Sequence, residues 1–327
     1  METQPATECL PATLLAGFLG SGKTTLLNRV LHERADEPIA VLVNEFGEVG
    51  IDGRLVVRTA EEVVQLENGC LCCEVRGDLA DAMDRLLRGR GRLGGGKVRR
   101  ILIEASGLAS PGPIVQTLVL DARLAGRIAL DGVVTVAHAL HVADQLERHP
   151  EAAEQVAYAD LLLLNHVDAV DAAALDRAEA ALRTRNAAAP IERTERAACD
   201  IARMLSLGAS SAEQAGGWRL HDLDTLAVAG HTHGVGTVVL RSDELLDLHR
   251  LKMWIQFLAA RRTHELYRVK GLIACRDHPR SVLVQGMYQW LELGPGPEDL
   301  PAESALVLIG RNLDQEEIER GWQAVRA

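Results

Sequence analysis

The chain has 327 residues, 47% of them hydrophobic and 25% charged, which suits a folded globular protein of two modest domains at roughly 150 residues each. Its formal net charge of −11 argues against a broad basic surface for nucleic acid or an anionic membrane. No apolar run reaches bilayer-spanning length, and residues 10–19 lack a basic leader and run straight into Gly-Ser-Gly-Lys, so they read as a buried strand in a cytoplasmic protein.

Aromatic residues are only 3%, so the core must be built from Leu, Val, Ala and Ile. Continuous apolar runs at residues 13–17, 39–44, 100–104, 132–137 and 161–165 predict strands buried on both faces, as in a parallel sheet. Amphipathic stretches at 23–34, 77–87, 151–158 and 172–185 predict the helices between them. In the first, Leu26, Leu27, Val30 and Leu31 share one face. The alternation places the chain in the α/β class, with a P-loop NTPase domain of mostly parallel, doubly wound sheet over residues 1–205. The arginines between residues 85 and 100 are interleaved with glycines and read as a solvated loop. Residues 206–235 open on a small, polar, glycine-containing stretch and read as a linker. Residues 236–327 then predict a smaller α+β domain with an antiparallel sheet. Its elements are a strand at 237–241, a helix at 243–260 capped by Ser242 or Asp243, strands at 267–275, 281–293 and 305–310, and a closing helix at 315–325. There is no internal repeat.

The segment Gly17-Phe18-Leu19-Gly20-Ser21-Gly22-Lys23-Thr24 matches G-x-x-x-x-G-K-[ST] between a predicted strand and a predicted helix, the context this motif requires. Gly17, Gly20, Ser21, Gly22 and Thr25 belong to a loop whose N–H groups point at phosphate oxygens, and the helix N-terminus adds partial positive charge. Lys23 is expected to reach the β- and γ-phosphates and the Thr24 hydroxyl to ligate Mg²⁺. Glu104, ending an apolar strand, stands where a Walker B carboxylate sits beside the magnesium or its water, and Gly107 is placed to offer its N–H to a γ-phosphate. Lys23, Thr24 and Glu104 are therefore the predicted catalytic set. Asn165-His166-Val167-Asp168 resembles the guanine-reading N-K-x-D tetrad. A carboxylate at Asp168 accepts from both N1–H and the 2-amino group of guanine, donors that adenine lacks at those positions. The rival reading is an Asn/Asp turn at a strand end.

Six cysteines stand at positions 9, 70, 72, 73, 199 and 275, and Cys70, Cys72 and Cys73 fall within four consecutive residues. In a reducing compartment such a cluster points to metal or redox chemistry rather than to a disulfide framework. Thiolates suit zinc, copper(I) and related soft ions, and three of them supply most of a tetrahedral shell. Glu48, His231, His233, a water or a partner's ligand are candidates to complete it. A redox dithiol at Cys70 and Cys73, or a buried cluster of small apolar side chains, are the alternatives. His231 and His233 otherwise read as solvent-facing on a glycine-flanked loop, and Cys9, Cys199 and Cys275 as structural. Residues 44–52 and the cysteines both lie between the P-loop and the Walker B strand, where GTPases carry the loops that sense the γ-phosphate.

On these residues the chain resembles the CobW-type family of P-loop GTPases. The motifs are Gly17 to Thr25, Asn44-Glu-Phe-Gly-Glu48, Gly69-Cys-Leu-Cys-Cys73, Glu104-Ala-Ser-Gly107 and Asn165 to Asp168, with weaker echoes at Pro111 to Ile114 and Tyr267 to Gly271. The resemblance implies slow hydrolysis of GTP to GDP and phosphate with Mg²⁺. It also implies Zn²⁺ held at the C-x-C-C cysteines and passed to a metal-requiring client protein through the C-terminal domain. Its partners would be guanine nucleotide and that client, with a homo-oligomer left open and neither nucleic acid nor membrane expected. Alternatives are cobalt delivery for cobalamin synthesis or nitrile hydratase activation, a metal-sensing nucleotide-binding module with incidental hydrolysis, and a small-molecule P-loop kinase. The chain departs from the family at His166, where lysine is usual, and at Ala137-His138, where a Val-Asp pair is frequent. It also lacks the long His-rich tail of some members.

Overall fold

The computed structural model describes residues 9–43, 55–58, 63–66, 75–88, 98–208, 234–262, 264–276, 278–288, 290–297 and 303–326. The first part of the chain runs β1 (Leu10–Ala16), α1 (Lys23–Glu33), β2 (Ile39–Val43), β3 (Leu55–Arg58), β4 (Val63–Leu66), α2 (Val75–Arg88), β5 (Arg100–Glu104), α3 (Gly112–Leu120), β6 (Ile128–His138), α4 (Val142–Arg148), α5 (Pro150–Tyr158), β7 (Leu161–Asn165), α6 (Ala172–Arg185), β8 (Ile191–Thr194) and α7 (Ile201–Met204). Six of these strands form one sheet in the order β2-β5-β1-β6-β7-β8, every neighbouring pair parallel, and β3 pairs with β4 in a separate antiparallel hairpin.

The continuous apolar strands are covered on both sides. Leu14, Leu42, Ile103, Leu162 and Leu164 belong to one buried cluster, while Leu15, Val41, Leu102, Leu161 and Leu163 join Leu26, Leu27 and Val30 of α1 in another. The two-residue period of a strand divides each run between those clusters. The carboxyl ends of the parallel strands are aligned: Leu15 stands opposite Glu104, His138 opposite Asn165, and Asn165 opposite Thr194. That is the edge at which open α/β sheets bind ligands.

The second part runs β9 (Val235–Ser242), α8 (Leu248–Arg261), β10 (Leu266–Ile273), β11 (Val282–Met287), β12 (Trp290–Pro295), β13 (Ser304–Arg311) and α9 (Gln315–Arg326). Its strands form an antiparallel sheet in the order β12-β11-β10-β13-β9. Two elements of this part differ from the sequence expectation. The helix begins at Leu248 with Asp247 as its cap, not at Ser242 or Asp243. Ser242 closes β9, its hydroxyl accepts from Glu244 N–H, and Leu246 is held extended by a bridge to Cys275. The single strand expected at 281–293 is a hairpin, because Tyr288 turns the chain with a φ of 53°. Of the predicted linker, residues 209–233 lie outside the described residues.

The two sheets meet through α5, the short connection from α5 to β7, and β10. Asp160 pairs with Arg268 and, at 2.7 Å, with Lys270, and it accepts Val133 N–H at 3.0 Å. Tyr158, Tyr267 and Tyr288 pack ring against ring across the same boundary.

Candidate functional site

The loop between β1 and α1 needs its glycines. Gly17, Gly20 and Gly22 have φ of 142°, 74° and 110°, a region L side chains avoid. A Cβ on Gly17 would strike the Val136 carbonyl, and one on Gly22 would lie 2.5 Å from Asn165 Nδ2. Gly22 caps α1 with no side chain, so the first N–H groups of the helix are left for a ligand. Ser21 is buried and its hydroxyl has no hydrogen-bond partner among the described residues. A phosphate oxygen would satisfy both. Lys23 is buried, and its Nζ donates to the carbonyls of Gly17 at 2.8 Å and Phe18 at 3.2 Å. Burial pushes its pKa down and Glu104 pulls it back up. The ammonium is thus held inside the loop where phosphate oxygens would bind.

Thr24 Oγ1 donates to Glu104 Oε1 at 3.0 Å. A hydroxyl and a buried carboxylate at that separation beside a phosphate cradle fit the oxygen-donor preference of Mg²⁺. Thr25 is exposed at the start of α1. Gly107 follows Glu104 on a turn that packs against the P-loop, since a Cβ there would lie 2.5 Å from Leu19 Cδ2.

Asn165 ends β7 fully buried. Its Nδ2 donates to Ser21 O at 2.9 Å, and its Oδ1 accepts from Ala197 N–H at 2.9 Å and from the Thr194 hydroxyl at 3.2 Å. Asn165 therefore joins the P-loop, the tetrad and the segment after β8. His166 adopts the left-handed region, φ 61°, and Asp168 is exposed on the 3₁₀ turn Val167–Ala169 that follows. The exposed carboxylate is free to meet a base. The two departures from the family pattern meet in space: the imidazoles of His138 and His166 stack at 4.3 Å, with His141 4.5 Å from His138 on its other contact. Burial, then His166 and His141, keep the His138 pKa below its ordinary value.

Sequence reasoning missed Gln155, Thr194 and Ala197, all of which touch this constellation. A glutamine within an amphipathic helix carries no signal, and strand β8 is short and mostly polar. Asn44, Glu48, Cys70, Cys72, Cys73, His231 and His233 lie outside the described residues. Among the described residues no group of three His, Cys, Asp or Glu side chains is arranged to hold a metal ion. Cys199 and Cys275 are pushed by burial to about 11, so both are thiols at neutral pH. Among the described residues no helix is long and apolar enough to cross a membrane.

Residues 11–193 match the family described as CobW/HypB/UreG, nucleotide-binding domain, and residues 235–326 match the Cobalamin synthesis protein cobW C-terminal domain. The chain is 32% identical over 323 residues to the zinc chaperone YjiA of Escherichia coli (strain K12), an alignment covering 97% of this chain and 99% of that one. It is 32% identical over 347 residues to the zinc chaperone CobW of Pseudomonas aeruginosa, covering 94% and 88%. It is 30% identical over 348 residues to the zinc-regulated GTPase metalloprotein activator 1 of Schizosaccharomyces pombe, covering 93% and 83%. Among solved structures, that of Zn(II)-bound YjiA GTPase from E. coli aligns with a TM-score of 0.74 at 27% identity, covering 98% of this chain and 100% of that one.

Proposed function

This chain belongs to the CobW family of P-loop GTPases, and on that premise we propose that it is a cytoplasmic zinc metallochaperone whose GTP hydrolysis gates the metal it carries. It hydrolyses GTP to GDP and phosphate. Positioning and charge stabilisation do most of the work in such reactions. The N–H groups at the start of α1 and the Lys23 ammonium hold the phosphates. Thr24 and Glu104 hold Mg²⁺, which neutralises charge on the phosphate oxygens when bound. Gly107 N–H faces the γ-phosphate, and Asn165 and Asp168 select guanine.

Zinc is cargo. Cys70, Cys72 and Cys73 bind it, with Glu48 as a further ligand, and a metal-requiring client receives it. The GTPase domain spans residues 1–205, a linker 206–235, and the C-terminal domain 236–327. The observation that carries this reading is the Cys70-Leu71-Cys72-Cys73 run between the P-loop and β5, in a chain alike over nearly its whole length to a zinc chaperone. It is tested by loading the protein with one equivalent of Zn²⁺ and adding GTP or a non-hydrolysable analogue in the presence of a chromophoric chelator. Faster zinc capture with GTP supports the reading; equal capture with both nucleotides contradicts it.

A further inference from the structure

Helix α5 touches the nucleotide site and the second sheet through residues adjacent in sequence. Gln155 is buried, and its Nε2 donates to Gly107 O at 3.1 Å and to Ala109 O at 3.0 Å. Both amide hydrogens are thereby committed to the loop that follows Glu104, while Gln155 Oε1 is buried with no partner among the described residues. A side chain serving only to fill space would be better apolar, because an orphaned buried carbonyl is costly. The backbone of the same residue is pinned to the sheet, since the Thr135 hydroxyl on β6 donates to Gln155 O at 2.6 Å.

One residue earlier, Glu154 accepts from the Tyr267 hydroxyl at 3.2 Å and pairs with Arg311, so it grips β10 and β13. One turn later, the Tyr158 hydroxyl meets that of Tyr288. Tyr288 sits in the left-handed region that bulky residues rarely adopt. Its hydroxyl blocks the space a Cβ on Gly112 would need, and the Tyr158 hydroxyl lies 3.1 Å from that point. The loop from Gly107 to Gly112 is therefore clamped by Gln155 at one end and faces a tyrosine of the second sheet at the other.

We propose that Gln155 is a positioning residue for GTP hydrolysis, and that α5 relays the state of the 107–112 loop to β10, β13 and the Tyr288 turn. The proposal rests on the reading that Gly107 faces the γ-phosphate. Holding the Gly107 and Ala109 carbonyls fixes two peptide planes of that loop, and with them the line along which Gly107 N–H points. A shift of the loop on γ-phosphate loss pulls on Gln155, and Glu154 and Tyr158, on the same rigid helix, carry it to the second sheet.

The test is steady-state GTP hydrolysis together with GDP affinity, on the full chain and on Gln155→Leu, Gln155→Glu and Glu154→Ala, with Lys23→Ala alongside. Gln155→Leu is expected to lower kcat about 100-fold, the effect of a ~1 Å misplacement, with GDP affinity unchanged. Gln155→Glu retains a donor only while its buried carboxyl is protonated, so its turnover falls with rising pH where the parent's does not. Simple repacking would give no such profile, and this variant decides the matter if the leucine variant does not fold. Glu154→Ala is expected to lower kcat less, again with GDP affinity unchanged. Native kcat in folded Gln155→Leu, a pH profile for Gln155→Glu parallel to the parent's, or equal losses of kcat and GDP affinity would overturn the positioning role. Native kcat in Glu154→Ala would overturn the relay. Turnover surviving in Lys23→Ala would sink the underlying GTPase assignment instead.

Discussion

Asn165 Nδ2 donates to the carbonyl of Ser21 at 2.9 Å, so the strand that ends in the Asn165–Asp168 tetrad is fastened directly to the loop between β1 and α1. The same side chain accepts from Ala197 N–H and from the Thr194 hydroxyl. Removing it leaves those donors and the Ser21 carbonyl to find other partners, at about 1–3 kcal/mol for each buried group left unsatisfied. Asn165→Ala is therefore expected to weaken GTP and GDP alike by at least about tenfold, read by calorimetric titration, since 1.4 kcal/mol is a factor of ten. Unchanged affinity for both nucleotides would show that the fastening is dispensable.

Lys23 makes its hydrogen bonds to the loop it sits in, with Gly17 O and Phe18 O as acceptors. Among the described residues its ammonium donates to that loop alone, inside the turn where phosphate oxygens would bind. Lys23→Ala is expected to abolish phosphate release while the thermal melting curve stays close to that of the parent. Undiminished turnover in a folded variant would refute the catalytic assignment.

The His138–His166 stack predicts a pH dependence of nucleotide binding. His138 Nδ1 accepts from Leu140 N–H at 3.2 Å, which requires that nitrogen unprotonated, and the facing titratable groups are His166 and His141. Burial first, then those two histidines, lower the His138 pKa from its ordinary 6.5. A base whose folded pKa is lowered contributes fully above the unfolded value and loses that contribution as pH falls through the folded one. Since a Cβ on Gly22 would lie 3.9 Å from His166 Nε2, loss of the stack is felt at the P-loop. GDP affinity is expected to fall as pH drops below the ordinary histidine value of 6.5, and to fall less in His138→Phe, which keeps a ring without a titrating nitrogen. Parallel curves for the two proteins would contradict this.

At the boundary of the two sheets one carboxylate serves two cations. Burial alone would push Asp160 up, but Arg268 and Lys270, with hydrogen bonds from Lys270 and Val133 N–H, hold it below its ordinary value of 3.8. Asp160→Asn strands the buried Arg268 and the partly buried Lys270 and is expected to cost about 3–5 kcal/mol in urea unfolding, whereas Lys270→Met leaves the Arg268 pair intact and costs little. A carboxyl with a lowered folded pKa contributes stability above its unfolded value and loses it as pH falls below that. The Asp160 contribution thus disappears only below about pH 4. Equal stabilities of the parent and Asp160→Asn at neutral pH would refute it.

The parallel sheet was legible because its strands are unbroken apolar runs ending in chemistry-bearing residues. Ala172–Arg185 was legible as an amphipathic stretch, and the structure adds Asp171 as its cap. Helix α3 was not, because it opens on Pro111-Gly112-Pro113 and reads as a turn although proline suits a first helical turn. The β11–β12 hairpin escaped because a tyrosine, not glycine or asparagine, takes the positive φ. At the site, the P-loop, Glu104 and the tetrad announce themselves by fixed spacing. Gln155 and the His138–His166 stack are products of tertiary approach, joining residues from different elements, and no local pattern marks such contacts.

The proposed function turns on a nucleotide-gated zinc site at Cys70, Cys72 and Cys73. Its most direct test is zinc affinity by competition with a chromophoric chelator, with GTP analogue, GDP and no nucleotide, on the full chain and on Cys72→Ser. Zinc affinity is expected to differ between the nucleotide states, and the difference to vanish in Cys72→Ser. Identical affinity in all three states, or a difference that survives the substitution, would contradict it.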